Sequence, residues 1–352
     1  MILFAWRRLP PPGFIGGAEI SEGLVAAALA EAGVEVVFVG ATQNPRDWSE
    51  PSLPWLTELL GHAGIENAVH GTSVEYVWRG VRCMAVRQQD LLCVVRSCAR
   101  QADALWTSQE DCGDIKRSAG DLPTASYAHS VSAVGLLSAQ IGARWVFVPS
   151  LFVQDRIRAI FGIEAHLLRP PLSAPQHRRA GGHSEGHVLF VNPLPQKGID
   201  TATALAHAHP HQRFIFVETW HPISDGVALP VNVRLLPRLP TLDHLYADAR
   251  LLLVPSVIED ACPRVILEAG LHGVPTLGST LGGIPELIAD SANVLDPVDT
   301  AAWLARSHEL LNDPATWSDA SRAQLARVAA LWSDPAATLA QVGFPLVAHN
   351  PT

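Results

Sequence analysis

Apolar positions along this chain follow two rhythms, and their alternation predicts the architecture. Ile2 to Trp6 is a short continuous apolar run, as expected of a strand covered on both faces. The turn RRLPPPGFIGGAE follows, and Ala18 to Gly33 sets Ile20, Leu24, Ala27, Ala28 and Leu29 at near-helical spacing, with Gly33 as the stop. Val34 to Val39 returns to strand character. Residues 41–72 carry little pattern beyond a helix around Leu53 to Ala63. Glu75 to Val86 alternates about Arg79-Gly80, as in a hairpin. Beyond it the pattern predicts a helix over Leu91–Arg100, strands over Ala102–Thr107 and Pro123–Ser130, and a helix over Val131–Ile141. A strand over Arg144–Val148 and a helix over Leu151–Phe161 complete one doubly wound domain.

The stretch Leu167 to Gly186 is dense in Pro, Gly, Ser and charge and reads as a linker. A second α/β unit starts at His187–Pro193, a strand. A helix follows over Ile199–Ala208, strands over Arg213–Glu218 and Val233–Leu235, and a short helix over Leu242–Ala247. Then comes RLLLVPSVIEDACPRVILEAGLHGVPTLGSTLGGIPELI, Arg250 to Ile288. It reads as strand (251–254), loop, a helix with Pro263 at its first position, a stop at Gly273, strand (274–277), glycine turn and helix. A short strand over Asn293–Leu295 and helices over Thr300–Leu311, Pro314–Trp332 and Asp334–Val342 finish the chain. The expected boundaries are 1–167, a linker at 168–186, 187–330, and a helical segment, 331–352, with the option of crossing back to the first domain.

A length of 352 residues suits two domains, and 48% hydrophobic with 17% charged residues is globular. No apolar segment approaches the ~18–20 residues that span a bilayer. The first residues place apolar before basic, the reverse of a secretory signal. Five cysteines (Cys83, Cys93, Cys98, Cys112, Cys262) show no CxxC pair, so the sequence suggests neither a metal site nor a disulfide framework, and a reduced cytoplasm is the simplest compartment. The net charge of −9 argues against nucleic acid as a partner and disfavours a strongly basic membrane-surface face, and with no long apolar segment no stable membrane anchor is expected. Of 25 basic residues only Lys116 and Lys197 are lysines, which draws attention to both.

Candidate chemistry lies where strands end. Gly16-Gly17 suits a loop whose N–H groups approach a diphosphate, or a plain strand-to-helix turn. Lys197 follows a strand and precedes Gly198 at a helix start, a place for a point charge facing a diphosphate or for a solvated lysine. Asp260 and Glu268, eight positions apart, put one loop acid and one helix acid at the carboxyl end of a parallel sheet. His129, at the end of a predicted strand, is taken alone a buried and satisfied histidine. Their occurrence together, in order, favours a site.

These residues carry a resemblance. PSVIEDACPRVILEAGLHGVPTLGSTLGGIPELI resembles the acid, seven-residue, acid hallmark of family 4 retaining glycosyltransferases, with Asp260 at the first acid and Glu268 at the second. GGAE (Gly16 to Glu19) is similar to that family's first-loop motif, PTASYAH to the strand before its active-site histidine, and VNPLPQKG (Val191 to Gly198) to its Lys-Gly loop. The resemblance implies the GT-B architecture, two Rossmann-like doubly wound domains facing a central cleft. It implies catalytic roles for His129, Asp260 and Glu268. It implies substrate contacts from Gly16, Gly17, Glu19, Asn192, Lys197, Glu259, Ala261, Cys262 and Arg264.

In that reading Glu268 holds the donor ribose, Asp260 and the following backbone hold the sugar, and Lys197 with the Gly17 loop neutralises the diphosphate. No cofactor and no metal are implied. The partners are a nucleotide-sugar donor, guessed as a UDP-sugar, and a soluble small-molecule or glycan acceptor, with a homodimer allowed. Low lysine with abundant Ala, Arg and Pro points to a bacterial source. The sequence departs from the family's pattern at three points: Asn192 stands where an arginine is usual, Pro263 where a glycine is common, and Glu259 adjoins Asp260 at the first acid. Whether Glu259 or Asp260 meets the sugar is open, and an epimerase of the same fold or a non-catalytic sugar-nucleotide-binding protein are the alternatives.

Overall fold

The computed structural model describes residues 1–13, 16–41, 43–44, 47–51, 53–176, 186–219, 223 and 228–346. Phe14 and Ile15 of the first glycine loop, 177–185 of the expected linker and 347–352 of the expected terminal segment lie outside them. Contacts divide the chain into two units, Met1–Pro171 with Ser333–Thr352, and Leu172–Trp332.

The first unit runs β1 (Ile2–Ala5), α1 (Gly17–Glu31), β2 (Val36–Ala41), a small hairpin β3 (Gln43–Asn44) and β4 (Asp47–Pro51), then α2 (Leu53–His62). It continues β5 (Asn67–His70), β6 (Ser73–Trp78), β7 (Val81–Val86), α3 (Leu91–Ala99), β8 (Ala104–Thr107) and α4 (Cys112–Ala119). It then runs β9 (Thr124–Tyr127), α5 (Ala133–Gln140), β10 (Trp145–Val148), α6 (Leu151–Phe161) and β11 (His166–Leu167). The sheet order is β11-β10-β9-β8-β1-β2-β7-β6-β5, parallel from β11 to β7, with β6 antiparallel to both its neighbours.

The continuous apolar run of β1 follows from its central place. Ile2 and Phe4 enter one core with Phe38, Trp106 and Phe147, while Leu3 and Ala5 enter the other with Val37, Leu91 and Ile115. Both faces are covered, so no position in the strand alternates to polar.

The second unit runs β12 (His187–Val191), α7 (Ile199–Ala208), β13 (Phe214–Val217), β14 (Val233–Leu236), α8 (Asp243–Asp248) and β15 (Ala249–Val254). α9 (Arg264–Leu271), β16 (Thr276–Ser279), α10 (Ile284–Leu287), β17 (Val294–Leu295), α11 (Thr300–Asn312) and α12 (Pro314–Leu331) follow. Its six strands, β14-β13-β12-β15-β16-β17, are all parallel. Val188, Phe190, Leu251 and Leu253 fill one face, Leu189, Leu252 and Val254 the other. The last helix, α13 (Pro335–Gln341), belongs to the first unit: Ala336, Leu339 and Phe344 join its core, and Trp145 Nε1 donates to Val342 O at 3.1 Å. Among the described residues no helix is long and apolar enough to cross a membrane.

Two local expectations are corrected, and one helix is added. Pro263 is the cap of α9 rather than its first residue: its φ of −66° is kept but ψ is 107°, so the helix begins at Arg264. The strand expected at 274–277 begins at Thr276, because Val274 N–H is used to close α9 on Ala269 O at 3.1 Å. Helix α4, which the pattern did not predict, follows β8.

Candidate active site

Each sheet changes winding direction at one place, and such a switch point opens a crevice at the carboxyl ends of the strands. In the second unit it lies between β12 and β15, since the chain leaves β12 toward β13 on one side and β15 adjoins it on the other. The loops after these two strands carry Lys197 and Asp260.

Glycine fixes how closely the loops meet. Gly198 has a φ of +84°, and a Cβ there would lie 2.0 Å from Pro255 O, so the Lys-Gly turn rests directly on the start of the second loop. Val257 N–H donates to Gln196 O at 3.1 Å across the same contact. On the far side, Gly282 has a φ of +66° and would place a Cβ 2.3 Å from Asp260 O, which accepts the N–H of Gly283 at 2.7 Å. Only glycine permits both approaches. Held between them, Asp260 Oδ2 accepts from Lys197 Nζ at 2.5 Å and from Ser256 Oγ at 3.3 Å. The side chains of Lys197 and Asp260 keep 23% and 20% exposure, enough to meet a ligand.

The adjacent acids differ in setting: Asp260 pairs with Lys197, while Glu259 is exposed beside Val257 and Ile258. Ala261 is buried, and Cys262 is half-buried. Asn192 takes a left-handed φ of +66°, which asparagine tolerates, and its buried Oδ1 has no partner among the described residues.

Glu268 lies one helical turn beyond Arg264 on α9. Its Oε1 accepts from Arg264 Nε at 3.1 Å and its Oε2 from the Tyr246 hydroxyl at 2.9 Å. Arg264 is buried, so it serves this carboxylate from beneath, and Glu268 remains 27% exposed. Burial, and then the charge of Glu268, push the Tyr246 hydroxyl well above its ordinary pKa, so it stays a donor. Each carboxylate oxygen has a second lone pair to offer two neighbouring hydroxyls.

In the first unit the switch point lies at β1 and β8. Arg8, after β1, donates through Nε and Nη2 to Glu110 at 2.9 and 2.6 Å, and through Nη1 to Glu19. Burial works to lower the Arg8 pKa, but the hydrogen bonds and charges of Glu110 and Glu19 outweigh it and raise it. For Glu110 the same balance falls the other way: burial raises it, and Arg8 pulls it below the usual carboxylate value. Glu19 is 2% exposed, and its Oε2 accepts the Gly16 N–H at 3.1 Å. This residue is thus bound into the glycine loop, and the N–H of Gly16 is already used. Gly17 begins α1. His129 stands two residues past β9, with Nε2 2.9 Å from Glu22 Oε1.

The structure thus pairs Lys197 with Asp260 and Arg264 with Glu268 in the second unit, and Gly16 with Glu19 in the first, where His129 pairs with Glu22. Sequence reading passed over Arg8, Glu22, Glu110 and Tyr246. Glu22 had a signal, since it follows Glu19 by three positions on an otherwise apolar helix and so shares its face. For Tyr246 the only cue is its place in the helix before β15.

Residues 187–313 match the family described as glycosyl transferases group 1. The second unit is a group 1 glycosyltransferase domain. That glycosyltransferase domain contains Asn192, Lys197, Tyr246, Asp260, Arg264 and Glu268, and it excludes His129 and the first glycine loop. Over the whole chain, sucrose-phosphate synthase from Thermosynechococcus elongatus is similar with a TM-score of 0.71 at 17% identity, covering 97% of each chain. Anabaena HepE, solved with UDP-glucose, has a TM-score of 0.73 at 15% identity, covering 97% of this chain and 98% of its own. The catalytic domain of starch synthase IV from Arabidopsis thaliana, bound to ADP and acarbose, has a TM-score of 0.67 at 9% identity, covering 96% and 99%. At such identities the likeness establishes the fold: the chain has the GT-B architecture. No curated protein matches its sequence.

Proposed function

We propose that the chain moves a sugar from a nucleotide-diphosphate sugar to a soluble small-molecule or glycan acceptor, with retention at the anomeric carbon and without a metal. The observation that carries this reading is the pairing of Lys197 with Asp260 at 2.5 Å where β12 and β15 part, with Glu268 on the next helix. Lys197 Nζ meets the diphosphate, whose negative charge grows as the glycosidic bond breaks. Glu268, held by Arg264 and Tyr246, accepts the ribose hydroxyls. Asp260, with the N–H groups of Ala261 and Cys262, holds the transferring sugar. In the first unit, His129 and Gly17 are assigned to substrate contact on the family resemblance alone.

The acceptor hydroxyl forms its bond to the anomeric carbon as the bond to the phosphate oxygen breaks, and its proton passes to that departing oxygen. Retention follows because attack and departure share one face. HepE, solved with UDP-glucose, supports a UDP donor, and the ADP bound by starch synthase IV sets the comparison to run.

Incubation with UDP-glucose or ADP-glucose and an acceptor panel, followed by NMR, tests the reading. The expected result is release of nucleoside diphosphate and an α-linked product, at an unchanged rate in EDTA. An epimerised sugar nucleotide with no diphosphate released would assign an isomerase instead. Donor binding with no turnover on any acceptor would assign a non-catalytic binding protein.

A further inference from the structure

The first unit holds a buried group of three polar side chains whose hydrogen-bonding capacities leave little freedom. Glu22, in the second turn of α1, has a side chain only 2% exposed. Its Oε2 accepts from the indole N–H of Trp106 on β8 at 2.5 Å, and its Oε1 lies 2.9 Å from His129 Nε2. Trp106 is 1% exposed and is wedged between Phe4 and Phe147, with ring centroids 5.3 and 5.0 Å away, so it cannot turn its N–H elsewhere. The imidazole lies over Tyr127, with centroids 3.9 Å apart, which fixes the ring plane. Among the described residues His129 Nδ1 has no hydrogen-bond partner, while Nε2 is occupied.

An indole N–H can only donate, and a carboxylate can only accept. A Glu22 carboxylate that takes the Trp106 proton donor on one oxygen offers His129 a second acceptor on the other, which requires the hydrogen on Nε2. We infer that Glu22 is a positioning residue that holds His129 as the Nε2–H tautomer, leaving Nδ1 as the ring atom that accepts a hydrogen bond from a sugar hydroxyl. The tautomer assignment stands on the geometry alone. The statement about the sugar rests on the reading that His129 meets the donor.

The substitution Glu22→Gln makes a directional test, because Trp106 dictates how the new amide must sit. The amide oxygen has to face the indole N–H, so the NH2 group faces His129 and donates to Nε2. The ring is then forced into the Nδ1–H form. Proton-detected nitrogen NMR of protein labelled at histidine, with His129 assigned by loss of its signals in His129→Ala, reads the tautomer directly. The wild type is expected to show a protonated Nε2 and a bare Nδ1, and E22Q the inverse, with circular dichroism unchanged. An Nδ1–H wild type, or an E22Q spectrum like the wild type, overturns the inference. If E22Q does not fold, the wild-type spectrum still decides.

Activity separates the two layers. E22Q is expected to lower kcat for sugar transfer by about tenfold, the worth of one neutral hydrogen bond, with Glu22→Asp restoring part of it. Wild-type turnover by His129→Ala would overturn the role of His129 in transfer while leaving the tautomer result intact.

Discussion

Lys197→Ala is expected to lower kcat for sugar transfer by about 10²–10³-fold, the loss typical when one preorganised partner of developing charge is removed. The effect is large because Lys197 sits at the switch point between β12 and β15, paired with Asp260. Asn192 is neutral, and Arg264 is buried against Glu268. Of these three, Lys197 is the cation placed at the switch point to face a departing diphosphate. Removing it also leaves Asp260 with only Ser256 among its observed side-chain partners, an anion where more negative charge must arrive. Lys197→Arg should recover part of the rate, since it restores charge but exchanges a compact ammonium for a planar fork. Steady-state kinetics with the best donor checks both, and wild-type turnover by the alanine variant would remove Lys197 from the chemistry.

Gly198→Ala is expected to be as damaging by a different route. A residue with a Cβ at a φ of +84° is strained by about 1–2 kcal/mol, and the Cβ would also lie 2.0 Å from Pro255 O. The two loops must part, which moves Lys197 away from Asp260. A control isolates the cause. Gly33 has nearly the same φ, +83°, and a Cβ there would meet nothing within 4 Å. Gly33→Ala should therefore show the conformational cost alone, with transfer unchanged. Chemical unfolding and kinetics on the pair check this: G198A loses both stability and activity, G33A a little stability only. Equal activity in both variants would mean that the loop contact does not matter.

What could be read from the sequence follows from which surfaces are covered. β1, β12 and β15 announce themselves because two cores cover them, and a short uninterrupted apolar run is what a strand with no solvent-facing side requires. Glycines at the mouths of the strands were legible as turns, but not what pressed on them. That Gly198 meets Pro255 and Gly282 meets Asp260 depends on contacts far apart in sequence.

Helix α4 escaped notice because its eight residues, CGDIKRSA, bury only Cys112 and Ile115. β5 escaped because every residue of this edge strand is exposed, so no alternation marks it. The acids show the same limit. Glu259 and Asp260 are indistinguishable by spacing, and only the folded loop turns Asp260 to Lys197. Glu19 looks like a ligand group from its motif, yet Arg8 and the N–H of Gly16 occupy it. Tyr246 bonds to a residue 22 positions later and Trp106 to one 84 earlier, distances over which periodicity carries no information.

In the proposed reading the second unit binds a nucleotide-diphosphate sugar through Glu268, held by Arg264 and Tyr246. Calorimetric titration of UDP-glucose and ADP-glucose into the full chain and into Glu268→Ala tests it most directly. The expected result is saturable binding of one nucleotide sugar by the wild type and a loss of at least tenfold in affinity in the variant, about 1.4 kcal/mol. Equal affinity in the two proteins, or no binding by the wild type of either nucleotide sugar, would contradict it.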